Sequence, residues 1–328
     1  MTTIKERLLQ NASRWPFSWQ KLRFLNRNHL CILGYHYVHS GQTAPHIAYL
    51  YSGKSIHTFE KELDYLLHNF EIFAPQDFSA ILGKKRKKPA FLLTFDDGLK
   101  PMYELIRPLL LKKGVPALFF VNPGFIDQDR IMYRYIQSYL YAQAQKHPEL
   151  SAAIQKDFAL PDLKALFQLG HEHSDTLNKT LKKYNLPLEN KAIYMKKSEI
   201  TQLHRDGFGI GAHSMSHSFF AKIPLARQLE ECQASVEAVR QEWPQKNAYF
   251  AFPFTDDGVD SSFFDHMRDF LPDLYFFGTA GLKKENNPYH FQRIPMEYQA
   301  TYSIQHILKV EHWYALGKSL LGKNKVKR

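Results

Sequence analysis

Cysteine is scarce in this chain: there are two in 328 residues, Cys31 and Cys232, far apart in sequence. That excludes a disulfide framework and a CxxC metal or redox motif, and leaves both as buried, reduced thiols. A continuous apolar run of about 18 residues, the minimum for a membrane-spanning helix, is also absent. The stretch from Met1 to Leu30 has no apolar core ahead of a small-residue cleavage site. The expectation is a cytoplasmic, untethered protein. With 16 Gly and 17 Pro the chain is too poor in both to be collagen-like or low-complexity, and 44% apolar content excludes a disordered polymer. Acidic residues are the minority charge: 32 Asp and Glu against 43 Lys and Arg leave a net +11. Such a balance favours anionic partners. Part of the excess is local, in Lys84 to Lys88 and in a basic tail at 318–328. Charge runs are ordinarily solvated faces; the sharper reading is peripheral contact with an anionic membrane or a lipid-linked substrate at the inner membrane face. No helix-turn-helix, zinc-finger or RNP-type motif accompanies the charge, so no specific nucleic acid is expected.

What is present is a rhythm. Short apolar runs bounded by turn residues alternate with helical stretches, the pattern of βα units around a parallel sheet. Strands are expected at Leu30 to Tyr35, Ala90 to Thr94, Ala117 to Val121 and Phe208 to Ala212, then at Tyr249 to Phe252 and Leu274 to Gly278. Between the first two, Phe59, Leu63, Leu66, Leu67 and Phe70 recur at helical spacing. After the second, a helix is bracketed by Pro101 and Gly114. The segment 127–198 breaks the rhythm. It is too long for an ordinary βα connection, and its composition predicts a helical insertion, either plain elaboration or a cover over substrate.

Two strings carry chemistry. Phe91-Leu92-Leu93-Thr94-Phe95-Asp96-Asp97-Gly98 runs a buried strand into adjacent carboxylates, at the strand end where α/β active sites are built. Two neighbouring carboxylates call for a cation or a shared proton; the plain alternative is a turn cap. Gly209-Ile210-Gly211-Ala212-His213-Ser214-Met215-Ser216-His217 runs a second strand into two imidazoles four positions apart. Two His and one carboxylate make the ligand set of a catalytic zinc site that keeps a further position open.

On these residues the chain resembles the polysaccharide deacetylases, the NodB-like family of carbohydrate esterases. Thr94-Phe95-Asp96-Asp97-Gly98 matches the family's first motif and His213-Ser214-Met215-Ser216-His217 its second, at every fixed position. Phe252-Pro253-Phe254 is similar to the family's aromatic-Pro turn, without the Arg that often precedes it. The resemblance covers about 30–297 with the insertion excluded. It implies one domain over 1–328, a distorted, incomplete (β/α)7-type barrel, and a hydrolase that removes an N-acetyl group from an amino sugar. It also implies that Asp97, His213 and His217 hold a divalent metal, zinc first and other transition metals next. Asp96 would be the general base, with Arg293 beside it to keep it ionised, and a backbone N–H near Phe254 would face the oxyanion.

The general acid departs from the commonest pattern. Where most members have a late Leu-x-His, this chain reads Arg293-Ile294-Pro295-Met296-Glu297. Instead, Tyr35-His36-Tyr37-Val38 resembles the Tyr-His-x-Val motif of the poly-N-acetylglucosamine deacetylase branch, where an early His stands in for the late one. That implies His36 as acid, with His39 and His306 as alternatives. Tyr35, Pro253 and Phe254 are the expected substrate contacts, and Tyr37 and Phe125 lie beside the motifs. Two features are discounted: Thr255-Asp256-Asp257-Gly258 reads as the start of a helix, and His171 and His173 stand two apart, on diverging helical faces. The competing readings are a deformylase or deacetylase of a lipid-linked sugar, and a sugar- or anion-binding protein without turnover.

Overall fold

The computed structural model describes residues 28–78, 86–297, 302–326 and 328. The amino-terminal stretch, and Lys84 and Lys85 of the basic run, lie outside these residues. The strands are β1 (Leu30–Tyr35), β2 (Ala90–Phe95), β3 (Ala117–Val121), β4 (Gly209–Ala212), β5 (Ala248–Ala251), β6 (Leu274–Gly278) and β7 (His290–Pro295). All pair in parallel, in the order β1-β7-β6-β5-β4-β3-β2, and β2 pairs back onto β1. The ring is therefore a closed (β/α)7 barrel, one strand short of the eight-stranded form. The two-residue strand Glu71–Ile72 pairs in parallel with the start of β2, outside the ring.

Alternation along the strands divides the core in two. Ile32, Leu92, Leu118, Phe120, Tyr249, Ala251, Tyr275 and Phe277 fill the lumen. Their neighbours Cys31, Leu33, Tyr35, Phe91, Leu93 and Phe95 point outward to the helical layer. Burial on both faces is why these strands read as unbroken apolar runs. Phe78 fills the amino-terminal mouth, its ring 4.9 to 6.1 Å from those of Phe291, Tyr275, Phe277 and Tyr249. Gly211 is required opposite Phe120, because a Cβ there would stand 2.5 Å from the phenyl ring.

Helix α1 (Ile56–Asn69) is capped by the Ser55 hydroxyl and buries Phe59, Leu63 and Leu66 against the barrel. Helix α2 (Arg107–Lys113) is preceded by a wide π turn at Met102–Ile106, since Pro108 has no N–H for a regular turn. It stops at Gly114, whose φ of +64° suits only glycine readily.

Between β3 and α6 (Lys197–Arg205) the chain makes the predicted helical excursion: α3 (Tyr133–Ala144), α4 (Pro148–Asp157) and α5 (Ser174–Lys183). These helices have a core of their own, with Ile136, Leu140, Ile154, Leu166, Leu177 and Leu181 at its centre. Tyr37, Ile47, Leu99 and Phe125, from loops at the carboxyl-terminal mouth of the barrel, join that core. Helices α7 (Leu225–Glu242), α8 (Ser261–Phe270) and α9 (Ile304–Leu320) complete the outer layer. No helix among the described residues is long and apolar enough to cross a membrane.

Candidate active site

Strand direction brings the polar residues together. His36 follows β1, Asp96 and Asp97 follow β2, His213 follows β4, Phe254 lies beyond β5 and Glu297 beyond β7, all at the carboxyl-terminal mouth. The backbone is strained there: Asp97 (φ +69°), Ser214 (φ +62°), His217 (φ +55°) and Phe254 (φ +60°) occupy the left-handed region without being glycine. Each such residue costs of order 1 kcal/mol or more, a cost tolerated where side chains must be aimed.

Asp97, His213 and His217 are buried and aim donor atoms at one point. Asp97 Oδ1 lies 3.3 Å from His213 Nε2 and 3.1 Å from His217 Nε2. His213 Nδ1 lies 2.8 Å from the Ala251 carbonyl, which accepts its N–H and leaves Nε2 as a lone pair. Burial outweighs the Asp97 charge and lowers the His217 imidazole below its ordinary value, which also favours the neutral ring. Asp97 Oδ1 and His213 Nε2 are buried without a hydrogen-bond partner among the described residues. Converging donors of this kind, one carboxylate and two imidazoles, fit a divalent transition metal.

The loop between the two histidines is clamped. Asn122 Nδ2 donates to the carbonyls of His213 and Ser214, and Ser214 Oγ accepts the His217 N–H at 2.9 Å. Glu231 accepts from the N–H and hydroxyl of Ser216 at 2.9 and 2.7 Å and is held by Arg227.

Asp96 faces the lumen side of the same site, gripped by Arg293 through two parallel bonds of 2.6 and 2.9 Å. Burial opposes ionisation of Asp96, but Arg293, His213 and His36 outweigh it and hold the carboxyl below its usual range. His36 Nε2 stands 3.7 Å from Asp96 Oδ2. Its Nδ1 is 3.2 Å from Glu297 Oε2, and its backbone N–H also donates to Glu297. Burial works against charging His36, yet Glu297, Asp96 and Asp97 together push its imidazole up to about 9. The His36 side chain is 29% exposed, so this protonated group is reachable.

Sequence reasoning missed Glu297. It ends the stretch that lacks the late His, and its carboxylate instead orients the early one. A signal existed in the strand-end position of an unexplained carboxylate, but only the pairing of β1 with β7 reveals the partner. Tyr135, from the insertion, was missed as well: its hydroxyl donates to Asp97 Oδ2 at 2.5 Å.

Tyr35 is a correction. It is fully buried, its hydroxyl 2.9 Å from Glu62 and its ring against Phe59 and Phe95, so it cannot meet substrate. Strand alternation sends it outward because His36 points in. Pro253 is also buried and shapes the turn rather than offering a face. Phe254, at 41% exposure, stands edge-on to His217 at the rim. Of the alternative histidines, His306 stacks on Tyr302 at the first turn of α9 and His39 packs beside Tyr37. Asp256 precedes α8 rather than starting it; it is buried among His290, Gln292 and Arg328, so that the basic tail folds back onto the barrel.

Residues 83–263 match the family model described as polysaccharide deacetylase. No curated protein matches the chain. Among solved structures, the deacetylase PplD of Streptococcus pyogenes, in complex with acetate, superposes with a TM-score of 0.56 at 14% identity, covering 86% of this chain and 97% of that one. IcaB from Ammonifex degensii gives 0.53 at 16% identity over 86% and 99%. A de-N-acetylase from Aggregatibacter actinomycetemcomitans gives 0.56 at 14% over 85% and 99%. At such identities these likenesses speak for the fold.

Proposed function

Because this chain belongs to the polysaccharide deacetylase family, we propose that it is a metal-dependent hydrolase removing the N-acetyl group of an amino sugar in a glycan or glycan precursor. The observation that carries the reading is one constellation. Three converging candidate metal donors lie beside a carboxylate bonded twice by Arg293 and an imidazole paired with Glu297. A binding protein would need the first set but not the second.

Asp97, His213 and His217 would hold the ion, with zinc the metal best suited to the set. When bound it supplies Lewis-acid polarisation of an acyl carbonyl and acidification of water. The chain's own groups move the protons. Asp96, kept anionic by Arg293, accepts a proton from the water that attacks the acetyl carbon. The Phe254 N–H is the candidate donor to the developing oxyanion. As the C–N bond breaks, His36 Nε2 gives its proton to the departing amine, which could not leave as an anion. The proton taken by Asp96 then has a short return path to His36, across the 3.7 Å between Oδ2 and Nε2. Water, amide and protons balance as acetate, free amine and one released proton. Phe254 offers a rim face against which a sugar ring can stack.

The test is release of free amine over nucleotide-linked, lipid-linked and polymeric N-acetyl sugars, with and without a chelator, using the wild type and the double variant His213→Ala, His217→Ala. Turnover on at least one class is expected, abolished by chelation and absent from the double variant, which should retain no stoichiometric metal. Metal retained by that variant, or chelator-resistant turnover, overturns the metal assignment. Metal binding with no turnover on any class selects the binding-protein reading.

A further inference from the structure

The insertion supplies one polar atom to the centre of the site, and the geometry points to a role for it. Resting on the reading of Asp97 as a metal ligand, we infer that Tyr135 is a positioning residue that sets how Asp97 presents its carboxylate to the ion.

The two oxygens of Asp97 have different fates. Oδ1 faces both imidazoles and has no hydrogen-bond partner, whereas Oδ2 accepts the Tyr135 hydroxyl at 2.5 Å. The torsion that orients a carboxylate is broad and two-fold, so an untethered Asp would swing between one-oxygen and two-oxygen ligation. A donor on Oδ2 stops that rotation and leaves Oδ1 as the single ligating atom. The restraint matters here because Asp97 leaves the backbone from a left-handed φ of +69°, in the turn just beyond β2.

Tyr135 is itself located with care. It is fully buried, and the Tyr51 hydroxyl lies 3.2 Å from its own. Met132, at the entry to α3, donates its N–H to the Tyr194 hydroxyl at 3.1 Å. Tyr194 bridges to Leu99, and Met195 donates to the Gly98 carbonyl at 2.9 Å, immediately after Asp97. The helix that carries the donor and the loop that carries the acceptor are thus indexed to each other through Tyr194, by its hydroxyl at one end and by main-chain pairing at the other. A phenol buried only for packing would not require its oxygen to end on a ligand's carboxylate.

Tyr135→Phe removes that oxygen and keeps the ring. Zinc affinity measured by chelator competition should fall about 10- to 100-fold, the usual effect of removing a group that orients a ligand. The thermal midpoint of the metal-free protein should stay near wild type, and amine release at saturating zinc should recover most of its rate. Unchanged zinc affinity in the folded variant overturns the inference, as does an affinity loss matched by an equal fall in metal-free stability. Should Tyr135→Phe fail to fold, Tyr51→Phe takes its place. It strips the phenol of its second partner and should weaken zinc several-fold, and wild-type affinity there overturns the inference. A wild type that binds no zinc fails the underlying metal assignment instead, which the same titration reveals first.

Discussion

Barrel and insertion solve different problems. In the barrel, the candidate side chains leave strand ends and are fixed by the sheet: Arg293 reaches past Gly34 of β1 to Asp96, and His213 is pinned to the β5 backbone at Ala251. The insertion keeps a separate apolar core and touches the site chiefly through one hydroxyl. Chemistry is thereby assigned to the part whose geometry the sheet dictates. Adjustment is assigned to a part that can vary in sequence and length without disturbing the strands.

The contrast can be pressed hardest at Asp96. Asp96→Asn leaves the ligands in place but removes the proton acceptor, and turnover should fall by roughly two to four orders of magnitude while zinc stays bound. Near-wild-type turnover measured on the chemical step would take the base away from the barrel. Next comes the insertion's own stability. Leu140→Ala empties a fully buried position and should cost about 2–5 kcal/mol. The loss should appear as faster amide hydrogen exchange in α3, with β2 and β4 still protected. Uniform loss of protection would mean that the two regions unfold as one unit.

The smallest effect is a shift in pH. His36 must be protonated to serve as acid, and with its imidazole pushed up to about 9 the alkaline limb of kcat/KM should fall near that value. Glu297→Gln removes the largest upward pull, so the limb should move to lower pH by about 1–3 units, the scale of one nearby opposite charge. Asp96, Asp97 and Tyr51 also face this imidazole and stay unchanged in the variant. An unmoved limb would assign it to another group.

These outcomes rest on residues that were unequally visible in the sequence. The proposed metal donors and base sit in two short strings, each directly after an apolar strand, so their convergence could be expected without knowing the fold. The barrel itself was legible for the same reason, because burial on both faces writes each strand as an apolar run. Glu297 and Tyr135 could not be read that way. One meets His36 only through the pairing of β1 with β7, the other meets Asp97 only through the packing of a long helical excursion. Tyr35 shows the opposite case. Period-two alternation already forbids it from sharing a face with His36, and its place beside a functional residue masked that rule.

Closure of the ring has a consequence for assembly. The proposed ion ligands follow strands β2 and β4, which lie in one continuous run of parallel neighbours through β3. The proton-handling groups straddle the seam where β7 meets β1 and β1 meets β2, with Asp96 and Arg293 separated by 197 positions and His36 and Glu297 by 261. Contacts so distant in sequence carry the largest loop-closure cost in the molecule. On the proposed reading, a molecule with β2, β3 and β4 paired but the seam open would have its cation ligands together, and would gain its acid and base only when the first and last strands meet. Hydrolysis, on that reading, would report that the whole ring has closed, whereas ion binding would report only that one side of it has formed.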